Sequence, residues 1–209
     1  MDWLKSIAEY QNWGFNALIV GSVGTIFFTF LEAWGLWRQN KLIWKEKSGE
    51  SVSVGWFSYL GFLFLTLIVY GYSVKSISIV INGLVLGPLH FPILLGLWKF
   101  KGFSHREKLV FTISAMMLLA MILLPWKNIV FVVINFGTII SLSLQPWEIW
   151  KNKNAGMVEI RLISVYFVST VFWVIYAYFL GEWALKIITP IALFLFGLTI
   201  FFWLKYRKK

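Results

Sequence analysis

The stretch QNKLIWKEK at 39–47 returns 106 positions later as QPWEIWKNK at 145–153, with five of nine aligned residues identical. The matching pairs are Gln39/Gln145, Ile43/Ile149, Trp44/Trp150, Lys45/Lys151 and Lys47/Lys153. The same offset sets Ser58 on Ser164, Tyr70 on Tyr176 and Lys99 on Lys205. A period this long in a chain of 209 residues means two copies of one unit, and it restricts the fold to one with internal symmetry.

What that unit is made of follows from polarity. Only 13% of the residues are charged and 59% are hydrophobic, with a mean hydropathy of +0.76. A soluble globule needs about a quarter of its residues charged. The chain therefore reads as an integral membrane protein. Seven apolar segments can be drawn, at 14–37, 54–73, 76–98, 109–125, 128–144, 162–180 and 184–204. Backbone groups in lipid need internal partners, so continuous apolar runs predict helices, and the lack of alternation argues against a barrel.

Alternating the spans places fifteen of the nineteen basic residues on one side and leaves Lys5, Lys75, Lys127 and Lys186 on the other. The positive-inside bias then predicts a cytoplasmic C-terminus and an outside N-terminus. The net charge of +10 reports orientation on this reading and calls for no nucleic acid. MDWLKSIAEYQNWG, at 1–14, has no basic n-region or small-residue cleavage site, so no signal peptide is expected. Short loops suit a cell (cytoplasmic) membrane.

The offset pairs spans one to three with spans five to seven. Three crossings end on the side opposite to their start, so a second copy in the same orientation needs one extra crossing. Span four supplies it. The expected fold is all-α with seven transmembrane helices in a 3+1+3 plan: a first triple-helix bundle at 14–101, a linker helix at 108–126 and a second, parallel bundle at 128–205.

These residues resemble the PQ-loop superfamily and, within it, the SWEET-type (MtN3-like) transporters. The family's loop reads Pro-Gln, then Trp-Lys-x-Lys-Ser, which is similar to Gln39, Trp44, Lys45, Lys47 and Ser48, and again to Gln145, Trp150, Lys151 and Lys153. Its second-helix Trp-x-x-Tyr-Gly is met by Trp173, Tyr176 and Ala177, and by Leu67, Tyr70 and Gly71. Its third-helix Asn-Gly is Asn82 and Gly83; the second copy has Ile188 beside Thr189. Arg38 and Leu144 stand where the family has proline, and Pro146 follows Gln145 instead. The resemblance implies alternating access between two bundles around a midplane site, with a sugar as the favoured solute.

Candidate site residues divide accordingly. For substrate binding the resemblance points to Asn82, Trp173 and Thr189; an aromatic face opposite an amide suits a sugar ring. Asn82 could equally form an interhelical hydrogen bond with no solute role. For gating or coupling, the candidates are Gln39 and Gln145 at the inner end of the first helix of each copy, together with Tyr70, Tyr176, Glu32 and His90. Each has a plainer alternative: the glutamines as bridges between helix ends, Glu32 as a carboxylate paired near the boundary, and His90 as a neutral ring satisfied by a carbonyl freed by Pro88 or Pro92. Asn135 is a further mid-span amide.

No enzyme is expected. There is no cysteine, only two histidines, no P-loop and no HExxH. GFSHREK at 102–108 offers too few ligands for a metal, and no cofactor is called for. The expected partners are the lipid bilayer and a small polar solute, with room for a homo-oligomer. Two alternatives to sugar transport stand: a proton-coupled amino-acid transporter using Glu32, and a non-transporting receptor or adaptor on the same fold.

Overall fold

The computed structural model describes residues 2–180 and 183–207, and every regular element among them is helical. In order these are α1 (Asp2–Lys5), α2 (Ala8–Gln11), α3 (Ala17–Glu46), α4 (Val54–Ser73), α5 (Ile77–Phe100), α6 (His105–Leu123), α7 (Lys127–Asn152), α8 (Ile160–Leu180) and α9 (Trp183–Tyr206). Six of them, α3, α4, α5, α7, α8 and α9, are long and apolar enough to cross a membrane. The chain is an all-α membrane protein. α6 falls outside that set for a local reason. Arg106, Glu107 and Lys108 fill its first turn, and the apolar remainder from Leu109 is shorter than the roughly 20 residues a crossing needs.

The core holds apolar side chains such as Leu36, Ile43, Phe57 and Ile93, and what departs from a soluble protein is the outer surface. Phe27, Phe30, Val133, Ile140, Phe194 and Phe201 are exposed, whereas Ser22, Thr25, Thr29, Glu32 and Gln39 of α3 are buried. Apolar side chains facing lipid, with the polar groups turned inward, are what a bilayer selects, since polar groups there must find partners inside the bundle.

The helices respect the 106-residue offset closely. α3 ends at Glu46 and α7 at Asn152; α4 begins at Val54 and α8 at Ile160; Ile77–Phe100 of α5 lies on Trp183–Tyr206 of α9. The C-caps Lys47 and Lys153 both take the left-handed conformation, at φ 48° and 50°. α6 has no counterpart. Packing follows the same exchange: α5 lies against α3 and α4 as α9 lies against α7 and α8, while across the halves α3 meets α8 and α4 meets α7. α6 packs mainly on α4.

α3 and α7 continue past the apolar limits at 37 and 144, so the repeated motif is helical and the loops begin only at Lys47 and Lys153. Hydropathy marks where lipid ends, whereas helical hydrogen bonding runs on as long as the side chains tolerate it. Side-chain caps fix other ends. Asn16 accepts from the amides of Leu18 and Ile19 to start α3, and Ser53 accepts from Trp56 N to start α4. Ser104 and Glu107 close a reciprocal capping box on α6.

Candidate functional site

Where the two halves meet, α3, α4, α5, α7 and α8 enclose a cavity of about 520 Å³. Asn82, Tyr70, Trp173 and Tyr176 all line it. Small residues let the rings in: a Cβ on Gly21 would collide with the Tyr176 ring, and one on Gly24 would stand 2.5 Å from Phe172. The Tyr70 ring stacks on Phe131 across the α4–α7 boundary at 3.9 Å and 8°. Trp173 and Tyr176 supply a second aromatic wall, 5.8 Å apart.

The polar lining is uncharged. Asn82, Asn128 and Asn135 provide amides, and Ser22, Thr25, Ser76 and Ser78 provide hydroxyls; no Lys, Arg, Asp or Glu is among the lining residues described. Asn82 Nδ2 donates to Thr29 Oγ1 at 2.8 Å, and Asn135 Nδ2 to its own helix at Phe131 O at 2.8 Å. Thus the interhelical bond of Asn82 and its place on the cavity wall coexist, since its carbonyl oxygen is the group not engaged by Thr29.

The cavity extends toward the end of the molecule that carries Ala8, Val74, Ser76 and Asn128. There α2 is held on the start of α5. Ser76 Oγ and Ser78 Oγ donate to Glu9 Oε1 at 2.6 and 2.7 Å, and the amides of Ile77 and Ser78 complete the cradle. Burial alone pushes the Glu9 carboxyl up, but the bonds from Ser76 and Ser78 outweigh it and leave it below the ordinary carboxylate value. The Trp3 ring lies parallel to Tyr72 at 6.1 Å, and Ala8 N donates to Lys75 O at 2.9 Å.

The opposite, lysine-rich end is closed by the paired glutamines. Gln39 Nε2 donates to Met157 O and Gln39 Oε1 accepts from Glu159 N, both at 2.8 Å. Gln145 Nε2 donates to Ser51 O at 2.8 Å and Gln145 Oε1 accepts from Ser53 N at 3.0 Å. Both glutamines are 1% exposed. Each therefore satisfies two backbone groups that loop geometry leaves without a ladder partner.

The remaining candidates lie away from the cavity. Glu32 is buried in the α3–α8 seam, where Ser169 Oγ donates to it at 2.5 Å. His90 is fully buried between Phe57 and Phe64, its Nδ1 against Leu86 O at 2.8 Å. That carbonyl is not one that proline frees: Pro88 and Pro92 release the carbonyls four residues earlier, at Leu84 and Pro88. Thr189 is buried on α9, outside the lining.

Ser22, Thr25, Ser78 and Asn128 also line the cavity, and none belongs to a motif of the sequence. A signal existed: Ser22, Thr25, Thr29, Glu32 and Gln39 follow helical spacing along one face of α3, and Asn128, Asn135, Thr138 and Gln145 repeat that face on α7. No family model, curated protein or solved structure matches the chain at a significant level.

Proposed function

We propose that this chain is a transporter of the PQ-loop, SWEET-like kind, built as a seven-helix 3+1+3 arrangement that moves a small neutral polar solute by alternating access. α6 is the linker crossing between two parallel triple-helix bundles. The N-terminus lies outside and the C-terminus in the cytoplasm, following the charge bias. A sugar is the favoured solute. The observation that carries this reading is an uncharged amide-and-aromatic cavity at the junction of two related halves, with the glutamine clamps between that cavity and the basic end.

The chemistry of the wall supports a neutral solute over a charged one. Amides and hydroxyls exchange hydrogen bonds with sugar hydroxyls, and tyrosine or tryptophan faces cover the C–H faces of a ring. An amino acid would bring an ammonium and a carboxylate into a wall whose described lining residues carry no charge, at a desolvation cost it could not recover. Glu32 keeps the proton-coupled alternative in view, because it is a buried carboxyl in a helix seam.

Uptake of labelled glucose, sucrose and neutral amino acids into proteoliposomes, with and without a pH gradient, tests the reading. Sugar uptake independent of the gradient is expected. Absence of uptake of every solute would overturn it and favour a receptor or adaptor role.

A further inference from the structure

Two side chains from opposite halves meet between the cavity and the glutamine clamps. Trp56 stands in the first turn of α4 and Tyr166 in α8, with ring centroids 5.9 Å apart at 72°. Phe196 of α9 stacks on Tyr166 at 5.5 Å and 8°. Trp56 and Tyr166 are 1% and 5% exposed, yet neither Trp56 Nε1 nor the Tyr166 hydroxyl has a hydrogen-bond partner among the described residues. Both are donors, and a buried donor without a partner lowers stability in a way phenylalanine would avoid.

The internal repeat shows that packing does not require them. The positions equivalent to Trp56 and Tyr166 are Leu162 and Leu60, which are just as buried at 0% and 4%. Each half therefore fills one of the two sites with leucine and the other with a polar-tipped aromatic, Trp56 beside Leu60 in α4 and Tyr166 beside Leu162 in α8. Depth points the same way. Tyr166 lies two turns, about 10 Å, from Trp173 toward the basic end. Between them Ser169 holds Glu32, and Trp56 begins one turn after Ser53, whose amide Gln145 holds.

We propose that Trp56 and Tyr166 form an inner station on the solute path, exposed when the clamps release. Its ligand is the neutral, hydroxyl-bearing solute of the outer cavity, whose oxygens accept from the indole N–H and the phenol O–H. The inference rests on the transporter reading and adds a second place of contact to it.

Two measurements test it. The chain has no cysteine, so Tyr166→Cys introduces a single thiol. A membrane-impermeant maleimide applied from the basic side should label that variant at least about tenfold faster when Gln39→Ala and Gln145→Ala are also present than in their absence. In proteoliposomes, Tyr166→Phe should raise the KM for glucose measured from the basic side about tenfold, leave the opposite-side KM unchanged and leave Tm equal or higher. No faster labelling in the clamp-released background overturns the station even if glucose uptake stands. So does a lowered Tm with both KM values unchanged, which marks the hydroxyl as structural. If the wild-type chain takes up no glucose, it is the sugar-transport reading that fails, and labelling alone then decides whether this position opens to the basic side.

Discussion

Gln39 and Gln145 each hold the other half of the molecule: Gln39 spans Met157 O and Glu159 N, while Gln145 spans Ser51 O and Ser53 N. The clamped residues are themselves 106 positions apart, so the two contacts are one contact made twice. Both lie at the basic end, and neither glutamine lines the cavity.

Breaking one clamp leaves a buried carbonyl and a buried amide unpaired, at about 1–3 kcal/mol each. Gln39→Ala and Gln145→Ala should each lower the melting temperature in detergent, with the double variant lower still. Gln39→Glu should sit between, because a carboxylate still accepts from Glu159 N but no longer donates to Met157 O. Melting curves indistinguishable from wild type would show that the clamps carry no weight.

Asn82→Ala removes an amide from the cavity and leaves Thr29 without its donor. Solute uptake should fall about tenfold, the value of one good hydrogen bond. Asn135→Ala should have a comparable effect, since Asn135 shares the wall from α7. Uptake unaltered in both would remove the amides from the binding site.

Glu32→Gln preserves shape and the bond with Ser169 while deleting any charge from the α3–α8 seam. An ionised carboxylate buried there, with one hydroxyl partner and no ion pair among the described residues, would be costly, so the variant should be as stable as wild type or more so. On the facilitated-diffusion reading, glucose counterflow stays intact. Loss of acid-driven uptake in this variant would instead assign Glu32 to proton coupling.

Docking of the N-terminal segment should depend on pH. The folded Glu9 carboxyl titrates below its ordinary value of 4.5, so its contribution is complete above that pH and disappears as the pH falls through the lowered value. Hydrogen exchange across 2–11, normalised for intrinsic rates, should quicken in acid. Glu9→Gln should quicken it about tenfold already at neutral pH, because the charge-assisted bonds to Ser76 and Ser78 are gone. Equal protection in the variant and wild type at neutral pH would mean that Glu9 does not hold α2.

Much of the helical plan was legible from two signals, hydropathy and the offset. Both act locally, one residue window at a time, and helix edges inherit them: the bounds of α5 and α9 coincide under the offset because their sequences pass through the same apolar limits. Contacts between halves left no such trace. Nothing in the neighbourhood of Gln39 announces Met157 and Glu159 as its partners, because the distance between them closes only when α3 packs on α8. The cavity lining shows a similar division. Asn82 and Trp173 stand out because a mid-span position coincides with the pattern of the family they resemble, whereas Ser22, Thr25 and Ser78 are small hydroxyl residues that helices commonly accommodate. α6 shows the reverse effect, since its flanking charges shorten an apolar run that the topology argument requires to cross.

The reciprocal clamp has the geometry of a symmetric dimer interface, in which one surface patch pairs with its own copy about a two-fold axis. A single half-unit thus encodes both the hand and the groove it grips. Two separate copies of such a unit would present the same complementary surfaces to each other. The two halves differ most between the clamps and the far end of the cavity, where Asn82 has no twin amide at Ile188 and Tyr166 answers to Leu60.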